Sequence, residues 1–174
     1  MPEADRQLAA AAMTIALRAV DETDRPLLEA LYASVRGPEL EMLTWSEEQK
    51  AAFLRQQFDA QDRDYRGRFL DAAFDLIVVD GEAAGRLYVD RRADELHVAD
   101  ISLLPSHRGR GIGTVLLERL QSEAAASGRS VSLHVEAFNP AQRLYQRLGF
   151  ELVEADAVYL RMRWSPAAHL AGTG

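Results

Sequence analysis

Between Pro105 and Thr114 the chain reads Pro-Ser-His-Arg-Gly-Arg-Gly-Ile-Gly-Thr, with glycines at 109, 111 and 113 and arginines at 108 and 110. An apolar strand runs into Pro105, and beyond the glycines Val115, Leu116 and Leu120 fall at helical spacing. A strand that turns through glycines into a helix start makes an anion site. The first helical N–H groups lack internal partners, the helix dipole puts partial positive charge there, and residues without side chains let a phosphate approach the backbone. Arg108 and Arg110 are expected to add mobile positive charge. The stretch reads as a pyrophosphate cradle, with tight strand–helix packing the alternative for the glycines alone. It is not a Walker A loop, because no lysine follows Gly113. Nor is it the dinucleotide fingerprint, because Thr114 stands where the last glycine belongs.

Other reactive side chains are few. Cysteine is absent, which removes disulfides, thiolate metal sites and a cysteine nucleophile. The four histidines, His97, His107, His134 and His169, form no triplet with metal-ligand spacing, and no Gly-x-Ser-x-Gly elbow occurs. The expectation is therefore no metal and no serine nucleophile. At 174 residues the chain suits one domain, and its net charge of -7 argues against a general nucleic-acid binder while matching a cationic substrate. No apolar run reaches the roughly 18 residues needed to span a bilayer, so no membrane partner is expected. The start carries acids before a short alanine run and lacks a basic leader. A cytoplasmic location is expected, and self-association into a homodimer stays open.

The elements that must position these residues are set by periodicity. Thr14 to Val20 alternates as a first strand, Leu27, Leu28, Leu31 and Tyr32 mark a helix entered through Pro26, and Gly37-Pro38 ends it. Ser46 with Gln49 three residues on reads as a capping box for a second helix bearing Phe53, Leu54 and Phe58, with Arg63 to Arg68 a charged exit. Phe74–Val79 and Ala84–Asp90 form a hairpin across Asp80-Gly81, and Glu95–Leu104 is a fourth strand ending at the cradle. A helix from Gly111 to Ser127-Gly128 comes next, then a fifth strand over Ser130–Val135. Asn139-Pro140 opens a short helix that stops at Gly149, and two strands close the domain. The fold class is α/β in a single domain over residues 14–165, with a mobile N-terminal tail over 1–13, where Met13 is an alternative start, and a C-terminal tail over 166–174.

Two separated motifs resemble the GNAT superfamily of acyl-CoA-dependent N-acetyltransferases. The first is Leu103-x-Pro105-x-x-Arg108-Gly109-Arg110-Gly111-Ile112-Gly113. The second is Asn139-x-Ala141-x-x-Leu144-Tyr145-x-x-Leu148-Gly149-Phe150. The resemblance implies a mixed, mostly antiparallel sheet flanked by helices, with strands four and five splayed into a V that holds a pantetheine arm. It implies acetyl-CoA as co-substrate, its pyrophosphate on the loop Arg108, Gly109, Arg110, Gly111, Ile112, Gly113 and Thr114. The implied reaction is direct attack of an amine on the thioester through a tetrahedral oxyanion.

That chemistry sets three tasks. Backbone N–H groups near Leu103 and Leu104 could hold the oxyanion. Tyr145, one helical turn after Ala141, takes by position the family's role of general acid toward the thiolate, packing being the alternative. Asn139 serves as helix cap, pantetheine contact or both. A lysine-like amine is neutral in only about one molecule in two thousand at pH 7, so a base helps. His97, Asp100 and Glu136 are candidates. His97 and Asp100 differ by three and so face opposite sides of a regular strand unless a bulge intervenes. His97 is preferred for an ordinary pKa near working pH, while a structural histidine stays open, as does a purely hydrogen-bonding Asp100. The loop Arg36–Trp45, with Glu39, Glu41 and Trp45, suits an amine on an apolar body, from a small molecule or a protein; a lid or a dimer contact is equally compatible. A non-catalytic acyl-CoA-binding regulatory module is the other class the motifs allow.

Overall fold

The computed structural model describes residues 2–5 and 12–166. Most of the expected tails over 1–13 and 166–174, with His169, lies outside the described residues. Seven strands form one sheet: β1 (Ile15–Ala19), β2 (Ala73–Val79), β3 (Glu82–Arg91), β4 (Glu95–Leu103), β5 (Ser130–Glu136), β6 (Glu151–Ala155) and β7 (Tyr159–Trp164). Their spatial order is β1-β2-β3-β4-β5-β7-β6. Every neighbouring pair is antiparallel except β4–β5. A parallel pair needs a long crossover, and helix α3 (Ile112–Ala126) supplies it.

Local chemistry accounts for the joints. Asp80 and Gly81 both have positive φ (50° and 83°), the backbone a two-residue hairpin turn requires. Helix α1 (Arg25–Arg36) carries Pro26 in its first turn, and just before it Asp24 is buried while accepting both ends of the Arg18 guanidinium. Helix α2 (Glu47–Arg68) opens on the reciprocal Ser46–Gln49 box. It does not break at Arg63 but runs on to Arg68, so the expected charged exit is its last helical turns. Helix α4 (Gln142–Arg147) closes through Gly149 at φ 88°, with the Phe150 N–H on the Tyr145 carbonyl at 3.0 Å.

Helices cover both faces. Leu116, Leu117, Leu120 and Ala124 of α3, with Tyr145 of α4, pack on Leu87, Val89, Leu96, Val98, Val131 and Leu133. On the other face Leu28 of α1 and Phe58 of α2 meet Leu76 of β2. Met13 also packs on the first core.

Two irregularities in the sheet shape the central cleft. Pairing between β4 and β5 runs only from Glu95↔Ser130 to Val98↔Leu133. Past it the strands diverge, which is the splay expected from the resemblance. In the β3–β4 ladder Tyr88 pairs with Asp100 but Val89 with Val98, leaving Ala99 as an extra residue. That bulge reverses the side-chain alternation. Asp90↔His97 and Tyr88↔Asp100 therefore put His97 and Asp100 on one face.

Candidate active site

Where β4 and β5 part, a cavity of 860 Å³ opens between α1, α2, the two strands, the 138–140 loop and the β6–β7 turn. Of the sequence candidates, His97, Asp100, Glu136, Asn139, Tyr145 and Glu39 line it together. Glu41 and Trp45 do not. Trp45 instead meets the Phe53 ring edge-on at 5.3 Å, and Glu41 is solvent-exposed. Leu103, Leu104 and the Arg108–Thr114 loop stand at the end of β4, beside the cavity rather than in its wall.

Tyr145 is buried, its ring edge-on to Phe150 at 5.9 Å. Burial, with a lesser push from the Asp100 charge, raises its phenol to about 12, so the proton stays on at neutral pH. No hydrogen bond to its hydroxyl comes from a described residue. Asn139 turns its Oδ1 to the Ala141 N–H at 2.9 Å while its carbonyl accepts from Gln142, and so shapes the entrance to α4.

His97 departs from expectation. It is stacked on Phe69 at 5.7 Å, its Nδ1 lies 2.9 Å from Ser132 Oγ, and burial pushes its pKa down to about 4. A pKa near working pH, the reason for preferring it, is lost to desolvation. Asp100 is fully engaged: Oδ2 accepts from Tyr65 Oη at 2.8 Å and Arg86 Nη2 at 2.9 Å, and Oδ1 from Ser102 Oγ at 2.5 Å. Glu136 and Glu39 share one cation, Arg36, at 2.5 and 3.0 Å.

Sequence reasoning misses Tyr65 and Arg86. The signal for Tyr65 is the stripe Leu54, Phe58, Tyr65, Phe69, which continues one helical face past the charged residues. For Arg86 it is a guanidinium inside an apolar strand, which burial obliges to find a carboxylate.

The backbone donors resolve differently. Leu104 N–H is committed to the Ala84 carbonyl at 2.8 Å and is not available. The same bond makes Gly85↔Leu103 a non-hydrogen-bonded pair, so the Leu103 N–H turns away from β3 toward the open side. Gly85 permits this approach; a Cβ there would lie 2.0 Å from the Ser102 carbonyl oxygen. The arginines are tethered rather than mobile. Arg108 Nε donates to the Leu103 carbonyl at 2.9 Å and its Nη2 to Ser34 Oγ at 3.2 Å, while Arg110 Nη2 lies 3.0 Å from Met13 Sδ.

The cradle fits a diphosphate. Gly109 and Gly111 hold φ of 70° and 82°, no side chain caps the start of α3, and beside Gly109 the space a Cβ would take is open to 4 Å. A family profile described as "Acetyltransferase (GNAT) family" matches residues 35–150. The chain belongs to the GNAT family. Two curated relatives are mycothiol acetyltransferase of Nocardiopsis dassonvillei, 39% identical over 61 residues, and streptothricin acetyltransferase of Streptomyces lavendulae, 33% over 101. These matches take in 35% and 55% of this chain, which spans only 18% and 53% of the two relatives. Among solved structures, the PaiA N-acetyltransferase of Thermoplasma acidophilum, crystallised with coenzyme A, superposes with a TM-score of 0.64 over 87% of this chain and 99% of its own at 19% identity. That likeness establishes the GNAT fold. Among the described residues no helix is long and apolar enough to cross a membrane.

Proposed function

We propose that this chain is an acetyl-CoA-dependent N-acetyltransferase acting on an amine. The observation that carries the reading is the position of Tyr145, a protonated phenol free of hydrogen bonds from described residues, on the wall of the cavity where β4 and β5 diverge. Acetyl-CoA, when bound, supplies a thioester whose carbon accepts the amine nitrogen while the C–S bond breaks. The chain's own groups serve that exchange. Gly109, Gly111, Gly113 and the first N–H groups of α3 hold the diphosphate, helped by Ile112 and Thr114 backbone and by Arg108 and Arg110. Asn139 contacts the arm from the entrance of α4. The Leu103 N–H is the donor for charge developing on the acyl oxygen, and the Tyr145 hydroxyl gives its proton to the departing sulfur. Glu136 and Glu39, which outnumber their shared Arg36, hold the incoming ammonium, and Glu136 is the base we assign to its proton, directly or through water. His97 and Asp100 position the walls.

The test is free-thiol release with acetyl-CoA and a panel of small amines and lysine-containing and N-terminal peptides, alongside calorimetry with CoA. Heat with CoA and thiol release with at least one amine are expected. CoA binding without turnover on any amine or peptide refutes catalysis. The cradle has its own variants. Gly111→Asn, which enters positive φ readily, is expected to weaken CoA binding about tenfold or more while leaving the melting temperature nearly unchanged. Gly111→Val strains the backbone and loses both.

A further inference from the structure

The cavity extends beyond Tyr145 across the β5–β7 face to the turn before β7. Glu136 and Tyr159 stand directly opposite each other in that ladder, so their side chains share a face. In the turn, Asp156 Oδ1 accepts the N–H groups of Val158 and Tyr159, both at 2.7 Å, which fixes the carboxylate in place. Those bonds lower its pKa, and no ion pair reaches it among the described residues. Tyr159 is 45% exposed and Phe138, after β5, is 96% exposed; both line the cavity.

The charges in the wall do not balance. Five carboxylates line the cavity against three guanidiniums. Arg86 pairs with Asp100, Arg68 with Asp64, and Arg36 is divided between Glu39 and Glu136. Two negative charges are left over, one at the Arg36 fork and one at Asp156. His97 and His134, both with pKa lowered chiefly by burial, do not offset them at neutral pH. The wall therefore has two negative poles, the second bonded to the Tyr159 backbone in a cavity that Tyr159 and Phe138 also line.

We infer that the acceptor is a dication: its reacting amine enters at Glu136, and a distal ammonium or guanidinium group is held by Asp156 against the rings of Tyr159 and Phe138. This rests on the acetyl-transfer reading and names its substrate class. A carboxylate supplies charge, and ring faces attract an organic cation through their quadrupoles while burying its methylene chain.

The test is thiol release with acetyl-CoA across three acceptor series of matched chain length: alkyl monoamines, α,ω-diamines and ω-amino carboxylates, with lysine-containing peptides alongside. A kcat/KM for the best diamine on the order of tenfold above its monoamine is expected, with ω-amino carboxylates lowest. Asp156→Asn keeps the acceptor oxygen that holds the turn. It is expected to raise KM for the diamine and to cut the diamine-to-monoamine ratio by about the same tenfold. Phe138→Ala, at an exposed position, is expected to lower the ratio in the same direction. Equal turnover of mono- and diamines, a ratio unmoved by Asp156→Asn, or turnover confined to peptides overturns the dication assignment while leaving acetyl transfer standing. Absence of turnover in every series, with CoA still bound, overturns both.

Discussion

Tyr145 and His97 show how one physical effect, burial, sorts two proton-carrying groups into different jobs. Removing water costs the phenolate and the imidazolium alike, so Tyr145 rises to about 12 and keeps its proton, while His97 falls to about 4 and stays neutral. Tyr145→Phe is therefore expected to lower kcat about a hundredfold with acetyl-CoA affinity nearly unchanged, measured by steady-state turnover against calorimetry. For His97 the sign runs the other way from a paired histidine. The unfolded chain binds its proton near 6.5 and the folded chain only near 4, so folding stability is full above 6.5 and lost as pH falls toward 4. Up to about 3 kcal/mol rides on that one ring. Chemical denaturation between pH 4 and 7 should show the slope, and His97→Gln should flatten it. The types and positions of Tyr145, Asn139 and the three glycines were legible in the sequence because each occupies a fixed offset in a motif. The state of His97 was not, since it depends on Phe69, Ser132 and His134, which reach it only through the fold.

At the scale of elements, the extra residue at Ala99 decides which side chains meet. It carries Asp100 round to the α2 face, where Tyr65 and Arg86 both donate to its Oδ2 and bind helix, β3 and β4 together. The ion pair is nearly dry, with side-chain exposures of 4% for Arg86 and 11% for Asp100. Arg86→Leu strands the carboxylate and is expected to cost about 3–5 kcal/mol, read as a lower urea midpoint. The order of strands and helices was readable from alternation, capping residues and glycine stops. Helix α2 was readable at its start, where Ser46 and Gln49 announce it, and not at its end, because Arg63–Arg68 is charged enough to resemble a loop while Tyr65 and Phe69 keep the buried stripe going. The bulge was open to sequence reasoning only as an alternative, since nothing in Val98-Ala99-Asp100 by itself selects the extra residue. The pairing partner does.

For the molecule as a whole, a net charge of -7 surrounds a cavity whose wall is itself negative. Such a field attracts cations, and salt screens it over about 8 Å at physiological strength. The KM for the amine is expected to rise severalfold between roughly 20 and 300 mM salt while kcat holds, as steady-state assays at fixed acetyl-CoA will show. The sheet is joined across its middle by only four parallel residue pairs, Glu95↔Ser130 to Val98↔Leu133. Four strands lie on one side of that seam and three on the other. One core runs beneath that seam, with Leu96 and Val98 of β4 and Val131 and Leu133 of β5 in the same cluster as Leu116, Leu117 and Leu120 of α3. A substitution along those four pairs is expected to alter the mouth of the cleft for every guest alike. One on either lip chooses among guests, so selectivity can be retuned without disturbing the joint on which the fold depends.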